Sequence, residues 1–245
     1  MIINRNFKNF KFQHKQKKNQ IIFASKKIDG DQEIINLINN FLVEKNSFIF
    51  ESVEKGTIRG RYTIFGKNPD KIWEFNNNNS YLIKNKIKKK IKGEPRKVIE
   101  SIIEEFKFKT PDSLPPICSL ISGYFSYDSI RYIEKIPNKC KDDLKLPDVR
   151  LLRPRTLIIH DNLKKKIFYT INIFKDEKIS NYKKKYSDIK KEINNILMQS
   201  SLNNINKKLI KTSKNIKVRS NTSKSKFISI VNKAKKYIKI GDIFQ

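Results

Sequence analysis

Glycine, histidine, cysteine and acidic charge are all scarce in this sequence. Seven glycines in 245 residues leave little material for phosphate-cradling loops. No Gly-rich phosphate loop, His-Glu-x-x-His or Gly-x-Ser-x-Gly occurs, which removes the commonest nucleotide, zinc-protease and serine-hydrolase signatures. Only His14 and His160 could serve as imidazole acid or base. His14 lies in a basic lead-in, and His160 sits at a strand end beside Asp161, where a turn-side hydrogen bond is the ordinary reading. The two cysteines, Cys118 and Cys140, are not at metal-ligand spacing and form no Cys-x-x-Cys. They make no disulfide scaffold, so a reducing cytoplasm is the simplest setting. No apolar stretch approaches the ~20 residues of a membrane span, and "MIINRNFKNFKFQHKQKKNQ" lacks the apolar core of a secretory signal.

Acidic residues number 24 against 54 Lys and Arg, a formal charge of +30. Such an excess by itself points to nucleic acid. Here the excess is lysine, spread throughout and accompanied by abundant Asn and Ile, as A/T-rich codon usage would produce whatever the function. No nucleic-acid-binding fold signature is present, so no specific nucleic-acid partner is expected.

What is present is a globular composition, 38% hydrophobic and 11% aromatic, in a chain long enough for one large or two modest domains. Residues 1–20 read as a mobile basic lead-in. In "DGDQEIINLINNFLVEKN", Ile34, Leu37, Ile38, Phe41 and Leu42 share a helical face, with Asp29 or Asp31 as N-cap. Phe48 to Phe50 and Tyr62 to Phe65 read as strands, and "NPDKIWEFNNNNSYLIK" as a strand pair around an Asn-rich loop. "KNKIKKKIKG" suits an edge strand guarded by lysine, or one side of a helix. "EPRKVIESIIEEFKF" is a helix opened by Pro95, with Val98, Ile99, Ile102, Ile103 and Phe106 as its stripe. A strand from about Cys118 to Tyr127 and a short helical turn follow. Next comes a hairpin with Asp161-Asn162 at its turn, then a Lys-rich helix over 177–199. Residues 201–221 read as a linker. The last helix is capped by Thr222 or Ser223 and stopped by Gly241. Strands in hairpins mixed with helices predict an α+β fold, a mainly antiparallel sheet with flanking helices.

Two groups of residues could carry chemistry. Tyr124, Phe125, Tyr127 and Tyr132 surround Asp128 and Arg131, which as an aromatic strand with a paired Asp and Arg needs no ligand. In "FIFESVEKGTIRGRYTIFG", Glu51, Ser52 and Arg61 offer a carboxylate, a hydroxyl and a guanidinium near strand ends. Glu51 can meet an ammonium, Arg61 can fork to a carboxylate, and Ser52 can donate and accept, which is what an amino-acid ligand requires. An ordinary hairpin with a surface ion pair fits the same residues, and composition alone favours it.

Three stretches, in order, resemble one family. "FIFESVEKGTIRGRYTIFGKNP" resembles the "LLES-x-E … GRYSFIG-x-x-P" signature of anthranilate synthase component I, the large chorismate-utilising subunit. "GYFSYDSIRYIEKIP", with "LPDVRLL" after it, resembles that family's "GY-x-x-YD-x-x-R-x-x-E" strand and "LPD" continuation. "FISIVNKAKKYIKIGDIFQ" resembles the helix that opens its chorismate-binding domain. Ser126 stands where Gly is usual, and Thr63 where Ser is usual.

The resemblance implies an N-terminal regulatory domain over 21–200, a linker over 201–221 and the start of a truncated catalytic domain over 222–245. By the same token the chain is the N-terminal portion of a longer enzyme. That enzyme converts chorismate and ammonia to anthranilate and pyruvate, the ammonia coming from glutamine through a partner amidotransferase subunit, component II. It implies Mg2+ as cofactor, with ligands beyond Gln245 and no metal ligand in this stretch. It implies feedback inhibition by L-tryptophan bound by Ser52 and Glu51, with Arg61 and Tyr62 completing the near wall. The far wall would come from a later segment. Gln245 aligns where water-using relatives, the isochorismate and salicylate synthases, carry Lys. A Lys there can deprotonate water, whereas Gln suits ammonia as nucleophile. The close alternative is aminodeoxychorismate synthase component I, which Gln245 fits equally and which the Glu-Ser-x-Glu and Gly-Arg-Tyr pair disfavours. A stand-alone amino-acid-binding module and a basic RNA-binding protein are more distant alternatives.

Overall fold

A computed structural model describes residues 3–28, 32–41, 44–51, 60–106, 108–139, 141–201 and 219–244. The chain forms two compact units, Met1–Asn204 and Ile205–Gln245. The first is α+β, as the sequence predicts, and its centre is an antiparallel sheet.

The sheet is organised by two long strands, β3 (Tyr62–Asn76) and β7 (Val149–Asp161), paired along nearly their whole lengths. With β1 (Gln20–Lys27), β2 (Phe48–Phe50), β4 (Asn79–Lys84), β5 (Ile87–Ile91), β6 (Ser122–Phe125) and β8 (Lys166–Ile173), the order is β1-β8-β7-β3-β4-β5. β2 lies beside β3, and β6 beside β7. A register shift between Pro69 and Lys71 divides β3. Proline has no N–H to give the ladder, so a break at this point is where its cost is least. Cations and carboxylates meet at the break. Arg153 Nε donates to Asp70 Oδ1 at 2.7 Å, Lys71 Nζ lies 2.6 Å from Asp176 Oδ2, and the Arg153 guanidinium carbon sits 3.8 Å from the centre of the Phe174 ring.

Before the break, both faces of the sheet are covered. One face carries Phe65, Ile158, Ile167, Tyr169 and Ile22 and packs on helices α1 (Phe7–Lys15), α2 (Gln32–Phe41) and α4 (Tyr182–Ser201). The other carries Ile21, Leu157, Ile159 and Phe168 and packs under Leu114 and Cys118. After the break, α3 (Pro95–Glu105) covers Trp73, Phe75, Val149 and Leu151.

Several predicted elements are observed. Ile34, Leu37 and Phe41 of α2 are buried, while Asp29, Asp31 and Leu42 lie outside the described residues. Pro95 opens α3, whose Val98, Ile99 and Ile102 join the core while Ile103 stays exposed. "IKKKI" is the edge strand β5 and not a helix. The aromatic strand is shorter than predicted: Pro116–Cys118 is a 3-10 turn, β6 spans Ser122–Phe125, and a second 3-10 turn holds Tyr127–Tyr132.

The predicted mobile lead-in is corrected by α1. Asn6 caps it by accepting from the Asn9 N–H. Phe10 is fully buried, its ring 5.7 Å from that of Tyr186 and 6.0 Å from that of Tyr182. Phe7, Phe10 and His14 recur at three- and four-residue steps, so the helical stripe is present among the lysines. Just before the helix, Asn4 stands in for a strand at the edge of β1. Its N–H donates to Phe23 O at 3.2 Å, its Oδ1 accepts from Phe23 N at 2.8 Å, and its Nδ2 donates to Ile21 O at 3.3 Å.

The second unit holds α5 (Lys224–Ile240). Ser223 caps it, accepting from Lys226 N, and Gly241 ends it in the left-handed conformation at φ +84°, both as predicted. Most of the predicted linker, 202–218, lies outside the described residues.

Candidate functional site

The candidate amino-acid site lies at the neighbouring ends of β2 and β3, where the start of β3 also meets the β7–β8 turn. β2 and β3 pair antiparallel, Phe48 opposite Gly66 and Phe50 opposite Ile64. Glu51 follows β2 directly and is exposed, and Tyr62 opens β3, so the chain leaves and re-enters at neighbouring strand ends. A Cβ on Gly66 would lie 2.1 Å from Phe48 Cζ, so the Phe48 ring occupies the space that every other residue would fill at position 66. Phe50, 5.0 Å from Phe48 ring to ring, is half-exposed beside Glu51.

Arg61 is held firmly. Its Nε donates to Asp161 Oδ1 at 3.0 Å and its Nη2 to Asp161 Oδ2 at 2.7 Å, a two-bond fork. Asp161 is 1% exposed and also accepts from the N–H groups of Leu163 and Lys164, at 3.1 Å each. Burial pushes the Asp161 carboxyl up, but the Arg61 hydrogen bonds and the two backbone donors outweigh it and leave the group below its ordinary value. The hydrogen bond to Asp161 holds Arg61 above its own. Two further bonds bind the same turn to the same strand end: Asn162 N–H to Arg61 O at 2.8 Å and Asn162 Nδ2 to Gly60 O at 3.4 Å. The Arg61 guanidinium lies 4.9 Å from the Tyr62 ring centre, and Tyr62 is half-buried, its phenol raised chiefly by burial.

Of the predicted site residues, Glu51, Arg61 and Tyr62 are therefore located at two adjacent strand ends, while Ser52 and Gln245 lie outside the described residues. Arg61 was expected to fork to a ligand carboxylate; its Nε and one Nη2 donor fork to Asp161. Sequence reading assigned Asp161 to a turn alone. The signal available was its position beside the apolar run Leu157 to Ile159, where a buried carboxylate needs a cation.

The other candidates are accounted for structurally. His160 is buried in β7 opposite Thr63. His14 Nδ1 lies 3.0 Å from the Tyr182 hydroxyl, inside the α1–α4 contact. Cys118 is fully buried and its thiol is pushed up to about 12, so it is no nucleophile. Cys140 lies outside the described residues. In the aromatic group, Arg131 Nε donates to Asp128 Oδ1 at 2.8 Å and Nη1 to Ile136 O at 2.7 Å, while Tyr132 donates to Asp148 Oδ2 at 2.7 Å. These groups border an open cleft of about 540 Å³. The pairing of Asp128 with Arg131 is the ligand-free arrangement the sequence allowed. Among the described residues no group of three or more His, Cys, Asp or Glu side chains gathers to hold a metal ion, and no helix is long and apolar enough to cross a membrane.

Residues 45–245 match the chorismate binding enzyme family. The chain is 32% identical over 230 residues to anthranilate synthase component 1 of Acetivibrio thermocellus, covering 92% of this chain and 47% of that one. It is 28% identical over 245 residues to the protein of the same name from Cereibacter sphaeroides, covering 98% and 49%. The chain thus spans about half the length of these relatives. The crystal structure of anthranilate synthase component I from Streptococcus pneumoniae superposes with a TM-score of 0.54 at 21% identity, over 89% of this chain and 46% of that one. At that identity the superposition speaks for the fold.

Proposed function

Because the chain belongs to the chorismate binding enzyme family, we propose that it is the tryptophan-sensing N-terminal portion of an anthranilate synthase component I. The observation that carries this reading is the family match over 45–245, joined to alignment of nearly the whole chain with about half of each of two relatives of that name. The complete enzyme takes chorismate and ammonia to anthranilate and pyruvate in tryptophan biosynthesis. Ammonia adds to the ring, the ring hydroxyl leaves as water, and the enolpyruvyl group is eliminated as pyruvate. A glutamine amidotransferase subunit supplies the ammonia, Mg2+ serves the catalytic half, and the enzyme works in the cytoplasm. Gln245, a side chain unable to take a proton at neutral pH, suits the amine nucleophile.

In this reading L-tryptophan binds at the β2–β3 strand ends. Glu51 meets its ammonium, Ser52 bonds at close range, and Arg61 with Tyr62 forms the rest of the near wall. β2 and β3 pair with Phe50 opposite Ile64, which brings Glu51, just after β2, and Tyr62, at the start of β3, to the same end of that strand pair and supports the assignment. In the protein that joins this chain to a chorismate-binding half, Ser52→Arg is expected to abolish inhibition by L-tryptophan. Unchanged inhibition would remove Ser52 from the site. The chain of 245 residues alone is expected to form no anthranilate from chorismate, ammonia and Mg2+, and detectable turnover would overturn its assignment as a non-catalytic portion. Product identity separates the folate-pathway alternative: aminodeoxychorismate in place of fluorescent anthranilate would select it.

A further inference from the structure

The Arg61 side chain has five N–H donors in a rigid plane, and among the described residues two of them have a partner. Asp161 takes the side edge, one donor from Nε and one from Nη2. The opposite end of the guanidinium, one donor from each Nη, is a second fork that matches a carboxylate equally well. Arg61 keeps 28% of its side chain exposed, whereas Asp161 is sealed at 1%. The carboxylate that orients the arginine is therefore inside, fixed by Leu163 and Lys164, and part of the arginine still reaches solvent. Asn162 fixes the backbone on either side of the same residue through Arg61 O and Gly60 O. Ordinary surface arginines swing through many rotamers and lose that freedom on binding. Here the cost is met by folding.

We infer that Asp161 is a positioning residue for amino-acid binding: it grips one edge of Arg61 so that the other edge presents a ready-made fork to the ligand's carboxylate. The inference rests on the L-tryptophan reading above. Asp161 itself touches no ligand. It also cancels the arginine's charge, so recognition depends on geometry at the end-on edge and not on a free cation. A loose arginine would attract any anion, whereas a clamped, neutralised pair favours a planar carboxylate arriving from one direction.

Ligand-observed NMR titration of this chain tests the inference, since the method reads weak affinities and a near wall alone binds weakly. The probes are L-tryptophan and tryptamine, which keeps the indole and ammonium and lacks the carboxylate. Asp161→Asn is expected to weaken L-tryptophan at least fivefold and leave tryptamine unchanged, and Asp161→Glu to restore most of the loss. Arg61→Lys keeps a charge opposite Asp161 and removes the second fork. It is expected to lose L-tryptophan selectively as well, and it decides the matter if Asp161→Asn fails to fold. Unchanged or tighter L-tryptophan binding by Asp161→Asn would overturn the inference, because a freed charge would then suffice. Equal losses for both probes would overturn it too, by making Asp161 merely structural. Glu51→Gln, which weakens both probes through the ammonium, reports on the underlying reading. If Glu51→Gln weakens binding and Asp161→Asn does not, the inference alone falls. If the unaltered chain binds no L-tryptophan, both fall.

Discussion

Gly66→Ala tests whether the packing of one ring holds β2, and with it Glu51, in place. A Cβ at position 66 would lie 2.1 Å from Phe48 Cζ and 2.2 Å from Cε1, far inside any tolerated contact. The obstacle is the far end of a rotatable side chain, so Phe48 swings aside and the strand survives. The cost is the ring's packing against the cluster beneath Leu114 and Cys118, about 1–3 kcal/mol as for other overpacked sites. Roughly 2–4 °C of melting temperature is lost per kcal/mol in a unit of this size. Phe48→Ala removes the obstacle in advance. In that background Gly66→Ala should cost nothing, or stabilise by about 0.4–1 kcal/mol through the less flexible unfolded chain. Urea unfolding of the four proteins completes a double-mutant cycle, with a coupling of about 1–3 kcal/mol expected. Equal costs of Gly66→Ala in both backgrounds would refute the argument.

Gly123→Ala should be worse than Gly66→Ala, because its Cβ would meet a backbone atom, Arg150 O at 1.9 Å, that cannot swing away. Loss of amide protection across β6, measured by hydrogen exchange, checks it, and retained protection would count against the β6–β7 pairing. Lys71 and Arg153 overcome burial to hold Asp176 down at about 2. A lowered folded value stabilises above the unfolded carboxylate value of about 4, and the benefit disappears as pH falls toward 2. Asp176 is 35% exposed, so after screening this amounts to on the order of 1 kcal/mol. Asp176→Asn should therefore unfold at lower urea than the unaltered chain at pH 7 and at the same urea near pH 2, and a gap independent of pH would contradict the ion pairing. Phe10→Ala should cost about 3 kcal/mol or more, and a cost below about 1 kcal/mol in the same urea assay would mean that α1 is not docked. Cys118 should resist a thiol reagent until urea unfolds the chain, read site by site by mass spectrometry; labelling at the rate of an exposed thiol would refute its burial.

Elements defined by their own residues were legible in the sequence. α3 shows its Pro95 start and its stripe, α5 its Ser223 and Gly241 ends, and the β7–β8 hairpin its Asp161-Asn162 turn, because each is set within one or two helical turns or strand lengths. Interactions between distant segments were not. Arg61 and Asp161 stand 100 positions apart, and only the β3–β7 register makes them neighbours. α1 was hidden for a related reason. Its Phe10 and His14 look isolated among lysines until Tyr182 and Tyr186, far along the chain, supply the surface they pack on. The site's polar residues were visible as types, but which edge of Arg61 stays available depends on tertiary pairing.

The edge strand β1 has an implication for the order of events during synthesis. Among the described strands, Gln20 to Lys27 pair with β8 alone, and Gln20 is opposite Ile173. About 150 residues must be added after β1 before its partner exists, roughly 8–30 s at ordinary elongation rates. For that interval Ile21 and Ile22, both buried in the finished sheet, have no strand beside them. Asn4 needs nothing but its near neighbours Ile21 and Phe23 to form its three hydrogen bonds. A growing chain can thus seal one side of β1 early and keep the other side for the strand that arrives last.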